Sequence, residues 1–343
     1  MLVLGIESSC DETAAAVVDE NKNLLSSVVF SQPEHVSFGG VVPEIAARAH
    51  LEKITSIVTD ALSKANIGFS DLDAVAASAG PGLIGGVIVG VMTAKAIAAV
   101  HNIPFIAVNH LEAHALTARL GQDVPFPYLL LLTSGGHCQI LVAEGVGKFK
   151  RLGATIDDAA GEAVDKAAKM MGMGYPGGPK VESYAKNGNP KRFDLPRPMV
   201  GKAGCDLSFS GLKTAVRRVV ESFGDSPMTE RDKADLCACF QAAVLDSLCS
   251  RLKNGIKIFK RDYPQGTHLV VAGGVAANQA LRGALEKLSQ KYKLTFAAPP
   301  LKLCTDNGAM VAWAGMEHHL LGLSDSLDFS PRPRWPLDPA AKR

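Results

Sequence analysis

His110 and His114 stand four residues apart in His110-Leu111-Glu112-Ala113-His114, directly after an apolar run from Phe105 to Val108. On a helix that spacing puts both imidazoles on one face, as a divalent transition metal requires of two nitrogen ligands. Two unrelated surface or core histidines would show the same spacing. The pattern is not the zinc-protease motif, in which the acid directly follows the first histidine. Here it is one place later, so Glu112 points away from where that general base would act, which argues against peptide hydrolysis. A third ligand must come from afar. Asp306, in Cys304-Thr305-Asp306-Asn307-Gly308, is the candidate, at the expected opening of the last helix. Asp306 or Thr305 could equally be an N-cap there, and the two roles are compatible.

A second chemical constellation lies near the start. The apolar run Leu2 to Ile6 breaks into Glu7-Ser8-Ser9-Cys10-Asp11-Glu12-Thr13, and apolar character returns at Ala14 to Val18. This predicts a hairpin whose tip carries hydroxyls, backbone N–H groups and carboxylates together. Such a tip can hold phosphate oxygens, and its acids can hold a cation. Ser9, Asp11 and Glu12 are the candidate catalytic groups, although a solvated turn would also be rich in acids. A similar hairpin recurs at Tyr128 to Thr133, Ser134-Gly135-Gly136-His137 and Cys138 to Ala143. Each is followed downstream by a strand that runs into glycines and then a helix: Ala74 to Ala79 before Gly80-Pro81-Gly82, and His268 to Ala272 before Gly273-Gly274. The order occurs twice, which signals internal duplication. The second copy is longer, and its extra residues fit the irregular stretch from Tyr175 to Glu230.

The elements that must position these groups follow from periodicity. Strands are expected near 2–7, 14–19, 24–31, 74–79 and 105–108 in the first half, with helices near 43–66, 83–101 and 110–121. The second half has strands near 128–133, 138–144, 148–152, 268–272 and 294–297, and helices near 158–172, 232–262, 276–290 and 305–322. Tyr175-Pro176-Gly177-Gly178-Pro179 reads as too stiff and glycine-rich for a helix or a strand. Ser208 to Thr214, with Arg217 and Arg218, reads as a basic loop suited to phosphate or RNA, together with Lys191, Arg192, Arg197 and Lys202. Asp158, Gly161, Glu162 and Asp165 share one helix face, as an exposed stripe or as acceptors for ribose hydroxyls. The glycine pairs leave room for a ligand to approach the backbone.

A chain of 343 residues exceeds one ordinary core, so two domains are expected. The net charge is +2, which excludes a strongly basic nucleic-acid coat and an acidic tail. Seven cysteines without regular spacing suggest reduced thiols in the cytoplasm. Cys237 and Cys239 fall two apart on a helix and point away from each other, against a shared metal. The uncharged stretch Ala74 to Ala94 imitates a membrane span, but Pro81 and its glycines fit strand, turn and buried helix better. No signal peptide is visible, and no membrane association is expected.

Taken in order, GIESSCDET, GGVVPEIAARAH, AGPGLIGG, NHLEAH, TSGGH, DDAAGEAVDK, YPGGP, FSGLKT, AGGVAAN, CTDNGAM and PRWPL resemble the TsaD (Gcp, YgjD) family over essentially the whole chain. That family makes N6-threonylcarbamoyladenosine in tRNA and belongs to the ASKHA superfamily of actin, hexokinase and Hsp70-like ATPases. The resemblance implies an α/β fold of two RNase H-like lobes with a cleft between them. The lobes would be residues 1–122, completed by the helix at about 305–325, and 123–304, with an insertion at about 175–230; a basic, proline-rich tail would span 326–343. It implies one divalent ion, iron or zinc, on His110, His114 and Asp306. It implies a substrate pocket of Leu132, Thr133, Ser134, Gly135, Gly136, Asp165, Gly178, Glu182 and Asn278, where Glu182 replaces a common Asp and alters its reach. An adenylate or ATP would lie in the cleft, with AMP across Gly273, Gly274 and Asn278. The donor would be threonylcarbamoyl-AMP, and the acceptor N6 of the adenosine beside the anticodon in tRNAs reading codons that begin with A. Expected partners are tRNA, a TsaB-like paralogue and a TsaE-like ATPase. The apolar helices at 43–66 and 83–101 are either the docking face or wholly internal. A small-molecule kinase of the same superfamily and a metallopeptidase are the rival readings.

Overall fold

The computed structural model describes residues 1–341. The chain forms two compact units: residues 1–123 with 146–148 and 299–343, and residues 124–145 with 149–298.

Unit 1 contains β1 (Leu2–Glu7), β2 (Glu12–Asp19), β3 (Leu24–Ser31), α1 (His35–Phe38), α2 (Pro43–Ala65), β4 (Ala74–Gly80), α3 (Ile84–His101), β5 (Phe105–Asn109) and α4 (His110–Gly121). Its five-stranded sheet has the order β3-β2-β1-β4-β5, with β1 antiparallel to β2 and parallel to β4. Alternation along β1 decides which helix covers which face. Leu4 and Ile6 join Ile54, Ile57 and Val58 of α2 and Val87 and Val91 of α3 in one core. Gly5 faces the other way, and only glycine fits there: a Cβ would lie 2.1 Å from the Ala312 nitrogen. Ala312 belongs to the closing helix, Gly308–Leu320, which therefore packs directly on the middle of the first sheet.

Unit 2 repeats the plan with β6 (Tyr128–Thr133), β7 (Cys138–Gly145), β8 (Lys148–Ala154), α5 (Ala160–Met170), α6 (Gly177–Ala185), α7 (Ser210–Glu221), α8 (Glu230–Asp262), β9 (His268–Ala272), α9 (Gln279–Lys291) and β10 (Thr295–Ala297). The closing helix at Gly308–Leu320 is α10 of the chain. The second sheet runs β10-β9-β6-β7-β8, with β6 antiparallel to β7 and parallel to β9. The duplication expected from the hairpins is thus a duplication of whole sheets.

Several local expectations are overturned. The Tyr175-to-Pro179 segment starts a helix: Pro176 is the N-cap of α6, and Pro179 lies in its first turn. A first turn needs no intrahelical N–H donors, so proline is tolerated there. The basic segment after Ser208 is α7 rather than a loop. The Asp157 carboxylate accepts from Ser208 Oγ and from the amides of Phe209 and Ser210, which sets the entry to the helix. Asp158 precedes α5 instead of sharing its face, and pairs with Lys166 at 3.2 Å and Lys213 at 2.8 Å. Asp306 does not open α10. Asn307 is its N-cap, accepting from the Met310 amide at 3.0 Å.

None of the described cysteines forms a disulfide, and Cys237 packs against the sulfurs of Met171 and Met173. Helix α3 is long and apolar enough to cross a membrane, and a third of its apolar window is buried. Ile84, Ile88 and Met92, four residues apart, are exposed along it.

Candidate metal centre and nucleotide-binding groups

In unit 1, β5 ends at Asn109 and α4 begins at once, so both histidines of the motif lie within the first turns of the helix. Their rings meet edge to face at 4.8 Å between centroids. The Asp306 carboxylate comes to the same place: Oδ1 is 3.0 Å from His114 Nε2 and 3.6 Å from His110 Nε2. One donor atom from each of the three residues lies within 4.8 Å of the others. Bonds of about 2.1 Å at tetrahedral or octahedral angles separate donor atoms by about 3.0–3.4 Å, so the set fits a divalent ion without large movement.

Glu7, at the end of β1, completes the arrangement, although its sequence position suggested only a turn residue. Its Oε2 is 3.0 Å from His110 Nδ1, and Ser9 Oγ is 3.1 Å from the same nitrogen. Glu7 is held in turn by the Ser9 amide, 2.6 Å from Oε1, and by the Ser78 hydroxyl. A carboxylate behind a ligating histidine fixes the ring and leaves the other nitrogen for a metal. Electrostatics agree. Burial opposes a charged His110, yet the Asp306 and Glu7 carboxylates outweigh it and lift the imidazolium to about 9. Burial would also raise Glu7, but the charge and hydrogen bond of His110 hold it below its ordinary value. Glu12 has no such relief. Burial, then the charges of Asp306 and Asp11, push its carboxyl up to about 9. The site therefore carries surplus negative charge, which a dication would neutralise.

Glu112 is occupied elsewhere, as its place in the motif implied. Its Oε1 accepts from the Gly147 amide at 2.6 Å and lies 3.2 Å from His318 Nε2.

In unit 2 the expected binding groups stand in two kinds of environment. Gly135, Gly136, Gly178 and Gly274 have open space where a side chain would stand. Gly273 does not. Its φ is +90°, and a Cβ would lie 2.4 Å from the Thr133 carbonyl, so this glycine serves the packing of β9 on β6. The Ser134 hydroxyl accepts from the His137 amide at 3.2 Å and closes the hairpin turn. Leu132 and Thr133 are buried in β6. Asp165 Oδ1 accepts from the Gly177 amide at 2.8 Å, tying α5 to α6. Glu182 Oε1 accepts from the Gln279 amide at 2.7 Å. Asn278 caps α9 through the Leu281 amide at 2.8 Å and donates to Gln241 at 2.9 Å. Sequence reasoning missed these architectural bonds, because they depend on which distant helix ends meet.

A metal triad with an acid-and-hydroxyl hairpin suits several enzymes built on duplicated sheets, and the family match decides among them. The model for TsaD, tRNA N6-adenosine threonylcarbamoyltransferase, matches residues 23–313. The chain belongs to the TsaD family. A TsaD relative of that name from Paramagnetospirillum magneticum is 63% identical over 344 residues, covering 100% of this chain and 99% of its own. Another, from Rhodospirillum rubrum, is 61% identical over 347 residues, covering 99% and 96%. Among solved structures, HypF from T. kodakarensis is 15% identical with a TM-score of 0.60, covering 94% of this chain and 48% of that one. Component A of the Acidaminococcus fermentans (R)-2-hydroxyglutaryl-CoA dehydratase is 18% identical with a TM-score of 0.54, covering 94% and 99%. These likenesses show the fold, a duplicated α/β arrangement of two mixed five-stranded sheets.

Proposed function

We propose that this transferase moves a threonylcarbamoyl group from threonylcarbamoyl-AMP to N6 of the adenosine next to the anticodon, in tRNAs that read codons beginning with A. The observation that carries the reading is the convergence of His110, His114 and Asp306 within 4.8 Å in a chain of this family. In the reaction the N6 amine attacks the carbamoyl carbon and a C–N bond forms. The C–O bond to phosphate breaks, AMP leaves with the electron pair, and the amine gives up one proton. A divalent ion at the triad, iron or zinc, would act as a Lewis acid that polarises the carbonyl under attack.

The chain's own residues do the rest. Glu7 and Ser9 orient His110. Glu12, whose carboxyl is the most basic at the hairpin tip, accepts the amine proton once ionised, and Asp11 beside it sustains that basicity. In unit 2 the open glycines let the adenylate lie against backbone near Asn278, with Asp165 and Glu182 toward its hydroxyls. ATP would use the same groups.

The exposed stripe of Ile84, Ile88 and Met92 on α3, with Leu51 on α2, supports docking of a TsaB-like paralogue, and a TsaE-like ATPase would complete the assembly. A cytoplasmic reaction is in keeping with a tRNA substrate.

The experiment is transfer of labelled threonylcarbamoyl from its adenylate to tRNA with the partners supplied. Labelled tRNA is expected. His110→Ala should purify with little metal and lose more than about 100-fold of the rate, beyond the cost of changing an outer-shell group. Full metal content and full activity in that variant would remove the metal assignment. ATP-dependent phosphorylation of a small substrate, with no tRNA product, would instead make it a kinase of the superfamily.

A further inference from the structure

Residues 325–337 run as a strap, with one tight turn at Ser326–Phe329, across unit 1, from the start of β5 to the ends of β4 and β5. The Asp325 amide donates to the Phe105 carbonyl at 2.8 Å, and its carboxylate accepts from the Ala107 amide at 2.8 Å. Lys95 Nζ donates to the Phe329 carbonyl at 2.6 Å. The Arg332 amide then donates to the Ala79 carbonyl at 2.8 Å, and the Gly82 amide to the Pro333 carbonyl at 3.3 Å. The strap passes so close that a Cβ on Gly80, whose φ is +132°, would lie 1.7 Å from the Arg332 carbonyl oxygen. The last contact is with Asn109, whose Nδ2 donates to the Trp335 carbonyl at 3.0 Å.

Asn109 precedes His110 and caps its helix. Its Oδ1 accepts from the Leu111 amide at 2.9 Å and from the Glu112 amide at 3.4 Å. Aspartate would also cap a helix but has no N–H to give, and serine offers one short hydroxyl in place of two separate polar atoms; asparagine caps through Oδ1 and donates through Nδ2 to a second segment of the chain. The Trp335 carbonyl is fixed because its side chain is fixed: the Arg332 guanidinium lies 4.9 Å from the Trp335 ring centre and 4.7 Å from that of Phe329, and the two rings are 5.5 Å apart.

We propose that this strap is a positioning element for the metal centre: Trp335, braced by Arg332 and Phe329, holds Asn109 and thereby the first turn of α4, which aims His110 and His114. Groups behind metal ligands change metal affinity by about 10- to 100-fold when altered. The strap acts one step further out, through the backbone that carries the ligands. The inference rests on the metal assignment made above.

The test uses cobalt(II) as the probe, in full-length protein. Asn109→Ser keeps the cap and loses the bond to Trp335, and Arg332→Ala releases the ring brace. Each should bind cobalt about 10-fold more weakly, with an altered visible spectrum and faster amide exchange at Leu111 and Glu112 in metal-free protein. Arg332→Lys, which keeps a cation over the rings, should restore most of the affinity. Unchanged cobalt affinity in both weakening variants would overturn the proposal, as would losses that follow melting temperature while Leu111 exchange stays constant. Asp306→Ala separates the two readings: if it binds cobalt normally, the metal assignment fails and not the strap.

Discussion

At the scale of single residues, the proposed metal centre is a balance of charge around one imidazole. With no cation present, Asp306 and Glu7 hold the His110 proton to about pH 9, well above the ordinary histidine value. A metal needs the bare Nε2, so binding near neutral pH must expel that proton. The sign follows directly. Below pH 9 each unit of acidification should weaken apparent metal affinity by about tenfold, and above it the dependence should vanish. Titration calorimetry in two buffers of different ionisation enthalpy would show release of about one proton near pH 7.5, whereas no release would contradict the raised pKa. That these three side chains come together was legible, the histidines from their i, i+4 spacing and Asp306 from its place near the last helix. Glu7 was visible in the same hairpin motif, but nothing in a linear sequence shows a carboxylate reaching a histidine 103 positions away.

At the scale of elements, periodicity located the strands and the long helices because each buries one continuous face or stripe. It failed at α6 and α7, where proline, glycine and positive charge outweighed short amphipathic patterns. The decisive bonds there come from Asp165 and Asp157, acids outside these helices that hold their starts. Asn278 shows how such a bond can be confused with ligand binding. Because it caps α9 and donates to Gln241, Asn278→Ala should lower unfolding free energy by about 1 kcal/mol even without nucleotide, as a lost cap does. Denaturant titration of the nucleotide-free protein measures this. An unchanged midpoint would mean that the asparagine serves only the ligand.

At the scale of the whole molecule, the two sheets share one strand order but carry different chemistry. The first hairpin bears acids and adjoins the proposed metal ligands, and the second bears open glycines. Such a division of labour is hard to infer from repeat order alone. The substrate proposed is a polyanion, yet the net charge is +2. The basic segment of unit 2 is also partly neutralised: Arg192 pairs with Asp232 and Asp235, and Arg197 with Asp246. Lys191, Lys202, Arg218, Arg332 and Arg334 remain as candidates for phosphate contact, while Lys342 and Arg343 of the tail lie outside the described residues. The isolated chain should therefore bind tRNA weakly, with a log–log salt slope no steeper than about −4, and partners should tighten it. Filter binding across a salt series reads the slope, and tight binding with full turnover by the chain alone would refute the need for partners.

The path of the chain also imposes an order in time. Unit 1 is begun by residues 1–123, but α10, packed against Gly5, and the proposed ligand Asp306 arrive only after the whole of unit 2. Synthesis runs from the N-terminus at about 5–20 residues per second. A ribosome that has made both histidines must still translate nearly two hundred codons before Asp306 exists, since it lies 192 positions after His114. The nascent polypeptide thus presents a first sheet with one face uncovered, and two of the three proposed ligands, until α10 emerges. On the proposed ligand set, metal loading is a late event in biogenesis, and prematurely terminated products lack one of the three ligands.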